Sequence, residues 1–316
     1  MYPIPPKAFA YLMEHAGAGG ADLTREFGIP GRSARRYARK FRMGLAIPQQ
    51  AFNVDSEVYT GAYVPGKPRQ YTGHWKLEGD FLVLNDIHIP ATNWDFAERA
   101  LEVALQHLES PRKVIIAGDL INGDALSRWD DIIPVTPLAD ELVYAEAYLN
   151  HLALHFDEIY FSRGNHEDRL LKAVKGQIHA PHFRRMLSDN KKVHFSMYSY
   201  MDVVSGGKHW RITHQKAYSR NALTVAKKLA AKNEVNVICA HQHHSAAGRS
   251  ENNRYTCVDS GGLHDATKMS YVMLDDNTSP VMSNGFVLLK DGAATLFTPY
   301  DTMTSMEMLC PANGKR

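Results

Sequence analysis

Eight polar side chains stand at positions from which a catalytic centre can be assembled. Asp86 and His88, Asp119, Asn165 and His166, His214, and His241 and His243 are carboxylates, an amide and imidazoles. They follow five short runs, Phe81–Leu84, Lys113–Ala117, Glu158–Phe161, His209–Thr213 and Val235–Ala240. Short apolar runs that end in polar residues read as buried strands. In α/β sheets, ligands collect beyond the carboxyl ends of strands, so groups more than 150 residues apart in sequence can converge. Such a set holds oxygen and nitrogen donors and no thiolate, which suits Mn²⁺, Fe, Zn²⁺ or Ni²⁺. Seven donors exceed what one ion needs. Two ions roughly 3.5–4 Å apart, sharing one carboxylate, account for that number.

The elements that must position these groups alternate. Helical patterns over Trp94–Leu108, Ala139–Phe156 and Arg220–Lys232 fall between the strands, and further strands are expected at His194–Tyr198, Tyr255–Val258 and Phe286–Leu289. This rhythm argues for an α/β body. Upstream, helices are expected over residues 7–17, Leu23–Phe27 (with Asp22 as its cap) and Ser33–Arg42, with Gly28 in a turn. The organisation expected is a basic helical module at 1–45, a Pro- and Gly-containing linker at 46–78, a catalytic domain at 79–300 and a tail at 301–316.

Taken in order, Asp86-Ile87-His88, Gly118-Asp119, Gly164-Asn165-His166-Glu167, His214 and His241-Gln242-His243 resemble the motif series of the calcineurin-like metallophosphoesterase superfamily, of phage and bacterial type. The resemblance spans roughly residues 80–290. It implies a two-sheet β-sandwich flanked by helices, with a small all-α N-terminal domain beside it. It also implies that Asp86, His88, Asp119 and His243 hold one metal, and that Asp119, Asn165, His214 and His241 hold a second, Asp119 being the bridge. His166 would be a catalytic residue beside the phosphate. The cofactors implied are two divalent ions, Mn²⁺ first, with Fe, Zn²⁺ or Ni²⁺ as alternatives. Such ions bring a bridging water towards hydroxide at neutral pH, and this attacks phosphorus in line. The sequence departs from the pattern at Ala240, Gln215 and Glu167, and no departure removes a ligand.

Several neighbours invite blander readings. His244, His182, His194 and His209 read as structural, and Asp124, Asp130 and Asp131 as a solvated loop. Arg128 and Arg169 lie near the motifs, where a guanidinium can fork a phosphate or form an ordinary ion pair.

Net charge is +2, yet the first fifty residues carry eight Lys/Arg against three acids, a surplus of five that leaves the remainder at three negative. Leu23–Phe41 resembles a helix-turn-helix. Its second helix exposes Arg32, Arg35, Arg36 and Arg39 opposite Ala34, Tyr37, Ala38 and Phe41, which suits a nucleic-acid backbone. A basic module that docks on protein is the bland alternative. Hydrophobic residues at 44% and charged residues at 22% exclude a disordered or fibrous chain. No apolar stretch reaches membrane-span length, and Cys239, Cys257 and Cys310 read as reduced thiols of a cytoplasmic protein. The function expected is a dinuclear phosphodiesterase or nuclease acting on DNA bound through residues 1–45. A phosphomonoesterase and a non-enzymatic DNA-binding protein are the alternatives.

Overall fold

The computed structural model describes residues 2–4, 6–15, 17–42, 46–48, 73–127, 135–269, 272 and 281–301. Most of the expected linker, Arg128, Asp130 and Asp131, and the tail from residue 302 on, with Cys310, lie outside the described residues. The chain divides into two compact units at residues 71 and 72.

In the first unit, β1 (Tyr2–Ile4) leads to three helices, α1 (Pro6–Glu14), α2 (Gly20–Phe27) and α3 (Gly31–Arg42), and to β2 (Ala46–Pro48). The two strands pair in parallel, an addition to the all-α module expected. Leu23, Ala34 and Ala38 are fully buried with Ala8 and Leu12, and Ile29, Tyr37 and Phe41 pack against them. The helix α2 starts earlier than expected. Asp22 lies inside its first turn, and its carboxylate reaches back to accept the Gly19 N–H at 2.8 Å. Gly28 ends this helix in the left-handed conformation, φ 61°, which a residue without Cβ adopts freely. Arg32, Arg35, Arg36 and Arg39 are exposed along α3.

The second unit runs β3 (Lys76–Glu78), β4 (Phe81–Leu84), α4 (Trp94–His107), β5 (Lys113–Ala117), α5 (Leu138–His155), β6 (Glu158–Ser162), α6 (Asn165–Ala173) and α7 (Ala180–Leu187). It continues with β7 (Val193–Ser196), β8 (Tyr200–Ser205), β9 (Lys208–Thr213), α8 (Thr224–Asn233), β10 (Asn236–Cys239), β11 (Ser245–Arg249), β12 (Thr256–Ser260), β13 (Phe286–Lys290) and β14 (Ala293–Phe297). These strands form two six-stranded mixed sheets, ordered β14-β13-β4-β5-β6-β7 and β11-β12-β10-β9-β8-β3. The strands β4 to β7 are parallel neighbours, as are β9, β10 and β12.

Alternation along each strand builds two layers of core. Phe81 and Val83 of β4 point between the sheets, with Ile115, Met201, Trp210, Ile212, Ile238 and Val258. Leu82 and Leu84 point the other way, against the helices that supply Phe96, Leu149, Leu170 and Phe183. A strand covered on both faces carries apolar residues throughout, which is why β4 has no polar alternation. The helix α8 covers Val237, Cys239 and Cys257 on the outer face of the second sheet. Cys239 and Cys257 are free buried thiols. This is the helix-flanked two-sheet sandwich that the motifs implied. No described helix is long and apolar enough to cross a membrane.

Candidate metal centre

The ends of β4, β5, β9 and β10 and the start of α6 bring the eight motif residues together. Asp86, His88 and His243 form one cluster of donor atoms, and Asp119, His214 and His241 form another. A third grouping, His88, Asp119 and His166, joins them. Asn165 completes the second cluster, with its Oδ1 2.8 Å from His214 Nε2.

The two carboxylates are held alike. Asp86 Oδ2 accepts the Asn85 amide at 2.7 Å and the His241 main-chain N–H at 2.9 Å, which leaves Oδ1 facing His243 Nε2 at 3.0 Å and His88 Nε2 at 3.7 Å. Asp119 Oδ1 accepts the His166 N–H at 2.8 Å. Its Oδ2 lies 3.2 Å from His214 Nε2, 3.8 Å from His166 Nε2 and 3.9 Å from His88 Nε2. Each carboxylate is thus fixed by one oxygen and presents the other.

The rings are fixed from behind. His88 Nδ1 donates to Asn122 Oδ1 at 3.1 Å, and His214 Nδ1 donates to the Ala117 carbonyl at 2.9 Å. When these rings are neutral, that arrangement turns both Nε2 lone pairs into the centre. His88 Nε2 and His243 Nε2 face one another at 3.2 Å. Imidazole nitrogens, carboxylate oxygens and the Asn165 carbonyl thus crowd a buried space, a donor set that fits divalent cations. The electrostatics agree. Burial opposes a charge on His214, yet Asp119 and Asp86 outweigh it and push the imidazole up to about 10. Burial likewise works against ionised Asp86 and Asp119, but the surrounding imidazoles hold both below the usual carboxylate value. The site demands positive charge.

The backbone is bent sharply to achieve this. Asp86, His88, Asp119, His241 and His243 all have positive φ, between 46° and 78°. Residues with side chains seldom adopt this left-handed region, and its clustering here marks a site that the rest of the fold holds in place. The strand β10 ends at Cys239, and tight turns beyond it send His241 to the Asp119 cluster and His243 to the Asp86 cluster.

Glu167 is the principal residue that sequence reasoning left without a role. Its buried carboxylate accepts the N–H groups of Asp119 and Leu120, each at 2.9 Å, and of Gly164 at 2.8 Å, with Ile121 at 3.4 Å. It ties the start of α6 to the end of β5. The signal was legible: a glutamate three residues after Gly164 can reach back to that residue's N–H, the half of a capping box that a glycine permits. Gly164 itself admits nothing larger, since a Cβ there would lie 2.2 Å from Asp119 Oδ1. Two further residues went unmarked. Asn122 orients His88 through its side chain and His166 through its main-chain oxygen, which accepts from Nδ1. His264 stacks on His243 with ring centres 4.3 Å apart, and its buried Nδ1 finds no hydrogen bond among the described residues.

His166 sits at the edge of both clusters, 6% exposed. Burial, aided by His88 and Arg169, brings its imidazole down to about 3 against the pull of Asp119. Of the residues read as bland, His244 bonds the Ser219 carbonyl and His194 pairs with Glu158 at 2.5 Å. Asp124 pairs with Arg169 at 3.1 Å.

A profile of the calcineurin-like phosphoesterase family matches residues 79–264. A comparison with curated proteins finds no match. Among solved structures, the chain is similar to Vps29 from Chaetomium thermophilum, at 14% identity over 66% of this chain and 82% of that one, TM-score 0.35. It is also similar to a zinc complex of Vps29 from Entamoeba histolytica, at 14% identity over 69% and 97%, TM-score 0.34. Hypothetical protein PH1004 from Pyrococcus horikoshii is similar at 12% identity over 73% and 91%, TM-score 0.41. The family match takes in more than half of the chain and runs through every one of the convergent donors. The chain therefore belongs to the calcineurin-like phosphoesterase family and is a metal-dependent phosphoester hydrolase.

Proposed function

We propose that the protein is a dinuclear phosphodiesterase that cleaves DNA, brought to its substrate by the basic helix α3. The observation that carries the dinuclear part is the placement of Asp119 Oδ2, which faces His88 on one side and His214 on the other. Asp86, His88, Asp119 and His243 would hold one ion. Asp119, Asn165, His214 and His241 would hold the other. The donors are oxygen and nitrogen only, a set that suits Mn²⁺ as well as Fe or Zn²⁺. When bound, the ions supply Lewis acidity for water and for the phosphoryl oxygens.

The chain's own residues do the rest. Asp86 and Asp119 fix the position of the cluster by the oxygens they tie to main-chain N–H groups. His166 keeps its proton on Nδ1 towards the Asn122 carbonyl and turns Nε2 to the phosphate's side. In that tautomer Nε2 carries a lone pair, so it would first take up a proton from solvent and then pass it to the leaving oxygen.

The DNA reading is supported by α3. Arg32, Arg35, Arg36 and Arg39 occupy its exposed face, while Ala34 and Ala38 lie buried beneath. Cations on one helix face suit successive backbone phosphates.

The test is a substrate panel with the Mn²⁺-loaded protein: single- and double-stranded DNA, RNA, a cyclic nucleotide and a phosphopeptide. Cleavage of DNA supports the reading. Rapid dephosphorylation of the phosphopeptide with intact DNA would replace it with a phosphomonoesterase.

A further inference from the structure

Arg169 lies one turn into α6, three residues beyond His166, and its guanidinium folds back over the loop that follows β5. One nitrogen, NH1, donates to the Asn122 carbonyl at 3.0 Å, the Gly123 carbonyl at 3.3 Å and Asp124 Oδ1 at 3.1 Å. The other, NH2, donates to His166 Nε2 at 3.3 Å. That acceptor is available because His166 has committed its proton to Nδ1 and the Asn122 carbonyl. Among the described residues, Nε and the second hydrogen of NH2 find no acceptor. The side chain is 23% exposed.

The arrangement is more than an ion pair. Among the described residues, Asp124 is the carboxylate that Arg169 pairs with, and the Asn122 side chain also donates to it. The remaining partners are two neutral carbonyls and an imidazole nitrogen. One edge of the guanidinium is thus anchored, and the Nε–NH2 edge, the planar fork that matches two phosphate oxygens, is left beside His166. His166 Nε2 in turn is 3.8 Å from Asp119 Oδ2, the oxygen that also faces His214 at 3.2 Å and His88 at 3.9 Å.

We propose that Arg169 grips the non-bridging oxygens of the substrate's phosphate next to His166, and so is a specificity-determining residue for anionic phosphoesters. On binding, the NH2 donor turns from His166 Nε2 to a phosphoryl oxygen, which frees that nitrogen to face the leaving oxygen. The main-chain carbonyls of Asn122 and Gly123 form the cradle that aims the fork. This assignment rests on the metal-dependent phosphoesterase reading.

The experiment uses the full-length Mn²⁺-loaded protein, bis(p-nitrophenyl) phosphate as substrate and inorganic phosphate as competitive inhibitor. In Arg169→Ala, the inhibition constant for phosphate should rise roughly 10- to 150-fold, the loss expected for a charged hydrogen-bonding pair, with bound metal unchanged. Arg169→Lys should fall between the two, because it keeps the charge and loses the fork. Asp124→Asn removes the ion pair and keeps the guanidinium, and should leave the inhibition constant within about threefold of wild type, a change smaller than the loss of one charged hydrogen bond.

Two results would overturn the proposal. One is an Arg169→Ala protein that retains its metal and binds phosphate as wild type does. The other is an equal loss of phosphate binding in Arg169→Ala and Asp124→Asn, which would assign the effect to loop position. Failure of the underlying reading looks different: a metal-loaded wild type that neither hydrolyses the ester nor binds phosphate, which would sink the proposal as well.

Discussion

Glu167 shows how one residue that faces away from the reacting atoms can set their positions. Its carboxylate collects N–H groups from both sides of the junction between β5 and α6, so Asp119 and Asn165 are placed by the same side chain. Glu167→Gln keeps the shape but replaces one acceptor oxygen with a donor that meets an N–H. That change should destabilise the protein by about 1–3 kcal/mol, read as a lower Tm. It should also weaken metal binding roughly 10- to 100-fold, as loss of an outer support does. Unchanged metal affinity in a destabilised variant would restrict Glu167 to folding. The donors themselves were legible in the sequence, because each follows an apolar run and each type suits a cation. Asn122 and His264 were not. Asn122 acts partly through its main-chain carbonyl, which residue identity does not encode, and His264 acts by stacking on His243 from a loop that no pattern links to the site. Burial of His264, followed by the nearness of His243 and His88, brings it down to about 2, so it lies beside the cluster as a neutral ring.

At the scale of elements, the doubly covered strands announced themselves and three of the second unit's four edge strands did not. The strands β4, β5, β10 and β13 are apolar runs because both faces are packed. The strands β3, β11 and β14 lie at or beside sheet edges and carry charged or small residues, so they carried no clear signal. The strand expected at His194–Tyr198 ends at Ser196, and a separate strand, β8, follows from Tyr200. In β8, Asp202 secures the edge. It accepts from Arg211 on β9 at 2.8 and 3.1 Å and contacts His74, just before β3, at 2.6 Å. Burial alone would raise its pKa, but Arg211 and His74 hold the carboxyl below the usual aspartate value. A depressed folded value means that the stabilisation is full above the unfolded value of about 4 and is lost as pH falls through the folded value. Asp202→Asn should therefore melt roughly 2–4 °C below wild type at pH 7, the shift for about 1 kcal/mol in a partly exposed pair. The gap should close as pH drops towards 3. A gap that stays constant across this range would mean that the charge of Asp202 contributes nothing.

For the whole molecule, the division of charge is the broadest feature: a surplus of five positive charges in the first fifty residues, and three negative over the rest. This was plain from composition, whereas the parallel pairing of β1 with β2 was not, since the partners are more than forty residues apart and three residues long. If α3 carries DNA binding, replacing Arg32, Arg35, Arg36 and Arg39 together by Gln should weaken DNA binding and flatten its salt dependence. Every phosphate that the variant no longer neutralises takes about 0.9 off the logarithmic slope. Hydrolysis of a small diester should be unchanged. An unaltered slope would assign the module to a protein partner. All of this depends on the clusters at the strand ends holding two cations through one shared carboxylate. Metal analysis of the Mn²⁺-reconstituted protein, with Asp119→Asn and His166→Ala beside the wild type, tests that claim most directly. The account predicts two ions per chain in the wild type, both retained in His166→Ala with reduced turnover, and their loss in Asp119→Asn. One ion or none in an active wild type, or both ions retained in Asp119→Asn, would contradict it.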